Sequence, residues 1–137
     1  MLKKLTIAIL VTIAFVSCQK LADPIDTGNP ELTASWIDPQ YVDTLVTYTR
    51  AENLVENQYG IKFETNSKLI LRQNSGWCGT PPITTADYAG TWTWNDSIVK
   101  ITTAYWGGTV DLTWKIITLN HRELVVYVMK SEYHEGK

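Results

Sequence analysis

From Thr33 to Met129 the chain repeats one pattern: short runs in which apolar and polar residues alternate, separated by Gly, Asn, Asp and Ser. A period of two sends successive side chains to opposite faces of a strand, so such a chain buries one face and wets the other. Eight runs are legible: Thr33 to Ile37, Thr44 to Thr49, Tyr59 to Glu64, Lys68 to Gln73, Gly90 to Trp94, Ser97 to Thr102, Val110 to Leu119 and Leu124 to Met129. Thr65-Asn66-Ser67, Asn95-Asp96, Gly107-Gly108 and Asn120 to Glu123 supply turn chemistry between them. Ala51 to Asn57 fits a short helix or a loop. Eight short antiparallel strands lose their exposed edges by closing on themselves, so the expected fold is all-β, a small up-and-down barrel. An open β-sandwich is the alternative. A barrel of this size has room inside for side chains or for one small ligand.

Before the first run lies a different kind of sequence. Lys3 and Lys4 precede an apolar stretch from Leu5 to Val16, interrupted only by Thr6 and Thr12, and then come Ser17 and Cys18. A basic start, an apolar centre and a small residue before the cut make the layout of a secretory signal peptide over 1–17. The stretch is too short to span a bilayer, which takes about 20 apolar residues. Phe15-Val16-Ser17-Cys18 resembles the lipobox of bacterial lipoproteins, with Phe15 where leucine is usual. That resemblance implies that Cys18 is acylated and becomes the new N-terminus, exporting the protein and anchoring it to the cell envelope, with the outer membrane as the expected membrane. Several acyl chains give stable anchoring, at about 0.8 kcal/mol for each buried methylene. Residues 18–31 contain Pro24, Gly28 and Pro30, show no apolar period and read as a flexible tether spanning about 20 Å.

Residues 32–137 suit a single domain with one core. Losing Lys3 and Lys4 with the leader takes the basic residues from 12 to 10 against 14 acidic ones, and the charges are scattered. Neither a basic patch for nucleic acid nor a polybasic membrane segment is present. All 6 tryptophans and 7 tyrosines lie after the leader, a heavy aromatic load for a small domain.

Tyr59-Gly60-Ile61-Lys62-Phe63, Leu69-Ile70-Leu71, Gly90-Thr91-Trp92 and a strand ending in Leu124-Val125-Val126 together resemble the lipocalin-like lipoproteins of Bacteroidetes. The resemblance covers about residues 32–130. It implies a barrel and an envelope location rather than an activity. Near the domain start this chain has Ala34-Ser35-Trp36 where relatives tend to have glycine-x-tryptophan.

Chemistry-bearing residues are few. Residues 74–89 form a long interval containing Gly76, Trp77, Cys78, Gly79, Pro81 and Pro82, a composition suited to capping a barrel mouth. With Cys18 acylated, Cys78 has no partner within the chain, and a packed thiol, an intermolecular crosslink or metal role, and a reactive thiol are the readings open to it. A nucleophile needs a base, but His121 and His134 form no recognised pair with Cys78, so no catalytic residue and no enzymatic activity are expected. One cysteine and two separated histidines lack the short ligand pair of a zinc motif, and no metal or cofactor is expected. Asp38 with Asp43, and Glu52 with Glu56, read as solvated surface. Asp43-Thr44-Leu45 and Asp96-Ser97-Ile98 resemble the short sites at which proteins of such bacteria are O-glycosylated. Trp92, Trp94, Trp106 and Trp114 are either barrel core or an aromatic wall for a ligand.

Two functions are therefore in competition. One is a membrane-anchored, non-enzymatic module that binds a small apolar or aromatic ligand inside the barrel. The other is a structural or interaction module with a filled barrel that presents its surface to another envelope protein. A hollow interior of about 300 Å³ or more favours the first, and a solid one the second.

Overall fold

A computed structural model describes residues 31–76 and 84–136. The leader, Cys18, the tether up to residue 30, Trp77 and Cys78 lie outside them. Eight strands are present, at β1 (Ser35–Val42), β2 (Leu45–Ala51), β3 (Gly60–Phe63), β4 (Lys68–Asn74), β5 (Thr85–Asn95), β6 (Ile98–Tyr105), β7 (Gly108–Leu119) and β8 (Glu123–Glu135). Every run read from the alternation is a strand. All neighbours are antiparallel, and the sheet closes in the order β1-β2-β8-β7-β6-β5-β4-β3, which excludes the open sandwich.

The order is a simple meander from β3 to β8, and the β1–β2 hairpin fills the gap between its two ends. Because β2 and β3 both pair antiparallel with β1, they run the same way on either side of it. The 52–59 connection therefore has to cross β1. This segment is the one that fitted a helix or a loop, and it is a loop: Ser35 Oγ lies 3.5 Å from the Glu52 carbonyl, and the Leu54 side chain packs over Gly60, where a Cβ would meet it at 2.9 Å. Ser35 points away from the barrel interior yet is buried, because this loop covers it.

Hairpin chemistry follows the residues. Asp43 and Asp96 take left-handed backbone angles, φ 53° and 54°, in two-residue turns between Val42 and Leu45 and between Asn95 and Ile98. Acidic and amide side chains tolerate this region by bonding locally. The second turn is thus Asp96-Ser97, one residue later than the Asn95-Asp96 expected. Asp38, φ 52°, sits in a bulge of β1 between Ile37 and Gln40. Three of the residues read as bare surface charge or as glycosylation sites are accordingly backbone devices. The interval from Asn74 to Ala89 is also shorter as a loop than the sequence suggested: β5 begins at Thr85, and Asn74 already pairs with it. Thr85 to Ala89 have too little alternation of hydrophobicity to announce a strand.

Inside, the barrel is filled. Trp36, Ile61, Phe63, Leu69, Leu71, Trp92, Val99, Ile101, Trp114, Leu124 and Val126 form one buried cluster with Leu32, Val46 and Tyr48. A chain of ring contacts links the lower and upper interior, from Trp92 to Phe63 (5.1 Å between centroids), Phe63 to Trp114 (6.5 Å) and Trp114 to Tyr48 (5.9 Å). The two contacts of Phe63 are edge-on, the arrangement that ring quadrupoles favour. Each fully buried large side chain stabilises the fold by about 1.5 to 3 kcal/mol relative to exposure. Gly90 permits the close packing of β5 on β6, since a Cβ there would meet the Thr102 carbonyl oxygen at 2.5 Å.

Candidate functional site

The strand directions define two ends. β1 starts at the floor, where Leu32 is buried beneath the barrel and its carbonyl accepts a hydrogen bond from Trp36 Nε1 at 2.9 Å. Trp92 closes the same end, its Nε1 donating to the carbonyls of Glu64 and Lys68 at 3.1 and 3.0 Å. Trp94 is half-buried nearby, packed against the core. The N-terminal side of the domain therefore enters at the floor.

The opposite end, the mouth, collects the aromatic residues that the core leaves out. Tyr41 shares its face of the sheet with buried Val46, its cross-strand partner, so it points inward above the core. Tyr133 likewise sits opposite buried Val110. Yet Tyr41 is 63% exposed and Tyr133 64%, because β1 and β8 outrun the filled part of the barrel. The Tyr105 ring lies edge-on to Tyr133 at 5.3 Å and to Trp106 at 5.7 Å, and Trp106 is 52% exposed. Desolvation, then the Tyr59 and Tyr133 phenols, raise the Tyr41 phenol above its ordinary value. Just below, complete burial, followed by Tyr41, pushes the Tyr48 phenol far higher still.

The turn that carries Trp106 is built by two glycines. A Cβ on Gly107 would meet the Tyr105 ring at 2.7 Å, so its absence lets that ring fold back over the turn. Gly108 has φ 152°, and a Cβ there would lie 2.0 Å from the His134 carbonyl oxygen. The mouth is thus a rigid edge of paired β6, β7 and β8. At the adjoining ends of β4 and β5, Ser75 N–H donates to the Thr84 carbonyl at 3.0 Å. The apolar surface continues over the rim, where Val42, Leu45 and Tyr127 lie side by side on the outer wall with Met129 beyond them.

The four tryptophans singled out from the sequence do not form one wall. Trp92 and Trp114 are core, Trp94 belongs to the floor, and Trp106 alone is at the mouth. Alternation cannot distinguish these outcomes, because it reports the face of a strand and not the height along the barrel. The tyrosines of the rim were missed for the same reason: Tyr41, Tyr105 and Tyr133 lie at or past the ends of the alternating runs.

The clefts elsewhere among the described residues are open rather than enclosed. One cleft of about 890 Å³ lies at the floor between Arg50, Glu52, Lys62, Glu64 and His121, with mixed charge and no convergent geometry. On the wall, Arg72 and Asp87 form a two-point ion pair at 2.6 and 2.9 Å, and the guanidinium holds the carboxyl below the usual carboxylate range. Compared with known proteins, the chain matches no family model, no curated protein and no solved structure, so the geometry of the two ends carries the functional reading.

Proposed function

We propose that the protein is a lipid-anchored, lipocalin-like module of the cell envelope, without enzymatic activity, which docks another envelope protein on its aromatic mouth. The observation that carries this reading is the separation of the two ends: the interior is filled by Trp36, Phe63, Trp92 and Trp114, while Tyr41, Tyr133 and Trp106 are displayed at the far end from Leu32. A solid interior favours an interaction surface over a ligand held inside. Exposed tyrosine and tryptophan with a contiguous apolar rim are the composition of protein interface cores. A tether from an acylated Cys18 leads to the floor, so it would turn the mouth away from the membrane. The lipobox resemblance at Phe15 to Cys18 supports the anchor.

Two measurements test this. Cys18→Ala is expected to leave the protein out of the membrane fraction, and unchanged partitioning removes the anchor. A photo-crosslinking residue at Trp106 or Tyr133 in living cells is expected to give a discrete protein adduct, whereas one at Asn66 on the floor gives none. Adducts from the floor alone, or a small molecule retained by the purified protein in native mass spectrometry, would overturn the docking reading.

A further inference from the structure

Toward the mouth β6, β7 and β8 remain paired, and the outer face of β7 and β8 there carries three donors that no part of the proposed function uses. We propose that Asp111, Glu132 and His134 form a surface site for a divalent transition metal such as zinc.

The register creates the cluster. Asp111 on β7 pairs directly with Glu132 on β8, and His134 follows two residues along β8 on the same face, opposite Thr109. One ligand atom from each lies within 4.8 Å of the other two. His134 Nε2 is already 2.9 Å from Asp111 Oδ2. Two donors bound to zinc at about 2.1 Å in tetrahedral geometry stand about 3.4 Å apart, so the pair needs to open by only about half an ångström. One imidazole and two carboxylates make a nitrogen and oxygen set suited to zinc, with water completing the coordination.

Three independent features favour a cation here. Asp111 and Glu132 are like charges placed directly opposite each other, an arrangement that destabilises a strand pair unless something lies between them. Thr102 on β6 donates to Asp111 Oδ1 at 2.6 Å and so leaves Oδ2 turned toward His134, as outer-shell hydrogen bonds do for ligating carboxylates. Finally, the His134 backbone is fixed against the Gly107-Gly108 turn, where the Gly136 N–H bonds to the Gly107 carbonyl at 2.8 Å. A competitor is present as well: Lys130 Nζ lies 2.7 Å from Glu132 Oε1 and has to release it.

The sequence did not suggest this site because only cysteine and histidine spacing was diagnostic there, and residues 111 and 134 meet through strand pairing alone. The test is calorimetric titration of zinc chloride into the full-length protein and its variants. His134→Ala and Asp111→Asn are each expected to weaken binding at least tenfold, and Thr102→Val, which keeps all three ligands, by about tenfold. Lys130→Met is expected to tighten binding by up to about fivefold, the most that an exposed ion pair is worth. Thermal melts in chelator confirm that these exposed substitutions leave the fold intact. Binding that stays within threefold of wild type in either His134→Ala or Asp111→Asn assigns the metal to other groups, such as the cysteines or His121, and overturns the proposal. Weaker binding in Lys130→Met also overturns it.

Discussion

At the floor of the barrel, Trp36 and Trp92 direct their indole N–H groups to backbone carbonyls and show no more than 1% of their surface to water. At the mouth, Trp106, Tyr133 and Tyr41 each leave more than half of their surface exposed. The two ends draw on the same residue types, so composition does not account for the difference. What separates them is closure: the floor has Leu32 and the turn between β3 and β4 to supply carbonyls and cover, whereas at the mouth the described strands continue past the packed interior. An aromatic residue with a buried hydrogen-bond partner is a structural element, and one without cover is available to something else.

The largest test of this contrast is truncation at each end. Trp92→Ala is expected to cost about 3 to 5 kcal/mol, from lost burial, the cavity left and the indole hydrogen bond to the Glu64 and Lys68 carbonyls. Tyr133→Ala at the mouth is expected to change stability by no more than about 0.5 kcal/mol. Urea unfolding measures both, and equal costs would remove the distinction between the ends.

Alkaline titration probes the boundary between them. Tyr48 is buried and its phenol is held well above the ordinary value, so the folded state binds this proton more tightly than the unfolded chain. Its contribution is complete below about pH 10, the unfolded value, and is lost as the pH rises toward the folded one. Stability is therefore expected to fall above about pH 10, and Tyr48→Phe is expected to flatten that slope. Tyr41→Phe should flatten it less, because Tyr41 stands in the open rim. If Tyr41→Phe has the larger effect, the packed interior extends higher than the floor-to-mouth contrast allows.

The smallest expected effect lies on the wall, which belongs to neither end. Arg72→Ala should cost about 0.2 to 1 kcal/mol, since the Arg72–Asp87 pair is substantially exposed to solvent. The sign with pH is fixed by the lowered Asp87 carboxyl: the contribution is present above about pH 4 and disappears as the pH falls through the folded value. Acid unfolding curves of wild type and Asp87→Asn should therefore converge at low pH.

Strand identity was legible in the sequence because burial on one face imposes a period of two, and every alternating run from Thr33 to Met129 became a strand. Length was less legible. β8 runs to Glu135, and Lys130 to Glu135 are exposed on both faces, so no alternation of hydrophobicity marks them. The same segment carries Tyr133 and His134, and both the mouth and the metal cluster depend on it. The first two runs were read as strands, but neither their pairing as a hairpin nor their place between β3 and β8 was, since the pairings Trp36 with Ile61 and Val46 with Val126 join residues with no local signal of their partnership. The candidate Trp92 and Trp114 were correctly drawn to the interior as one of two readings. Trp106 was drawn to the same group, and only the Gly107-Gly108 turn explains why it stands apart.

The way the N-terminal hairpin is seated also sets how the domain bears load. Tension on the segment before Leu32, opposed by a hold at the mouth, is directed along β1 and therefore across the hydrogen bonds that β1 makes with β2 and β3. Strand hydrogen bonds in an antiparallel pair lie perpendicular to the strands, so those on both sides of β1 are sheared together rather than opened one after another. The 52–59 loop strapped over Ser35 adds a further restraint to the same strand. A domain suspended in this way resists pulling at its first strand.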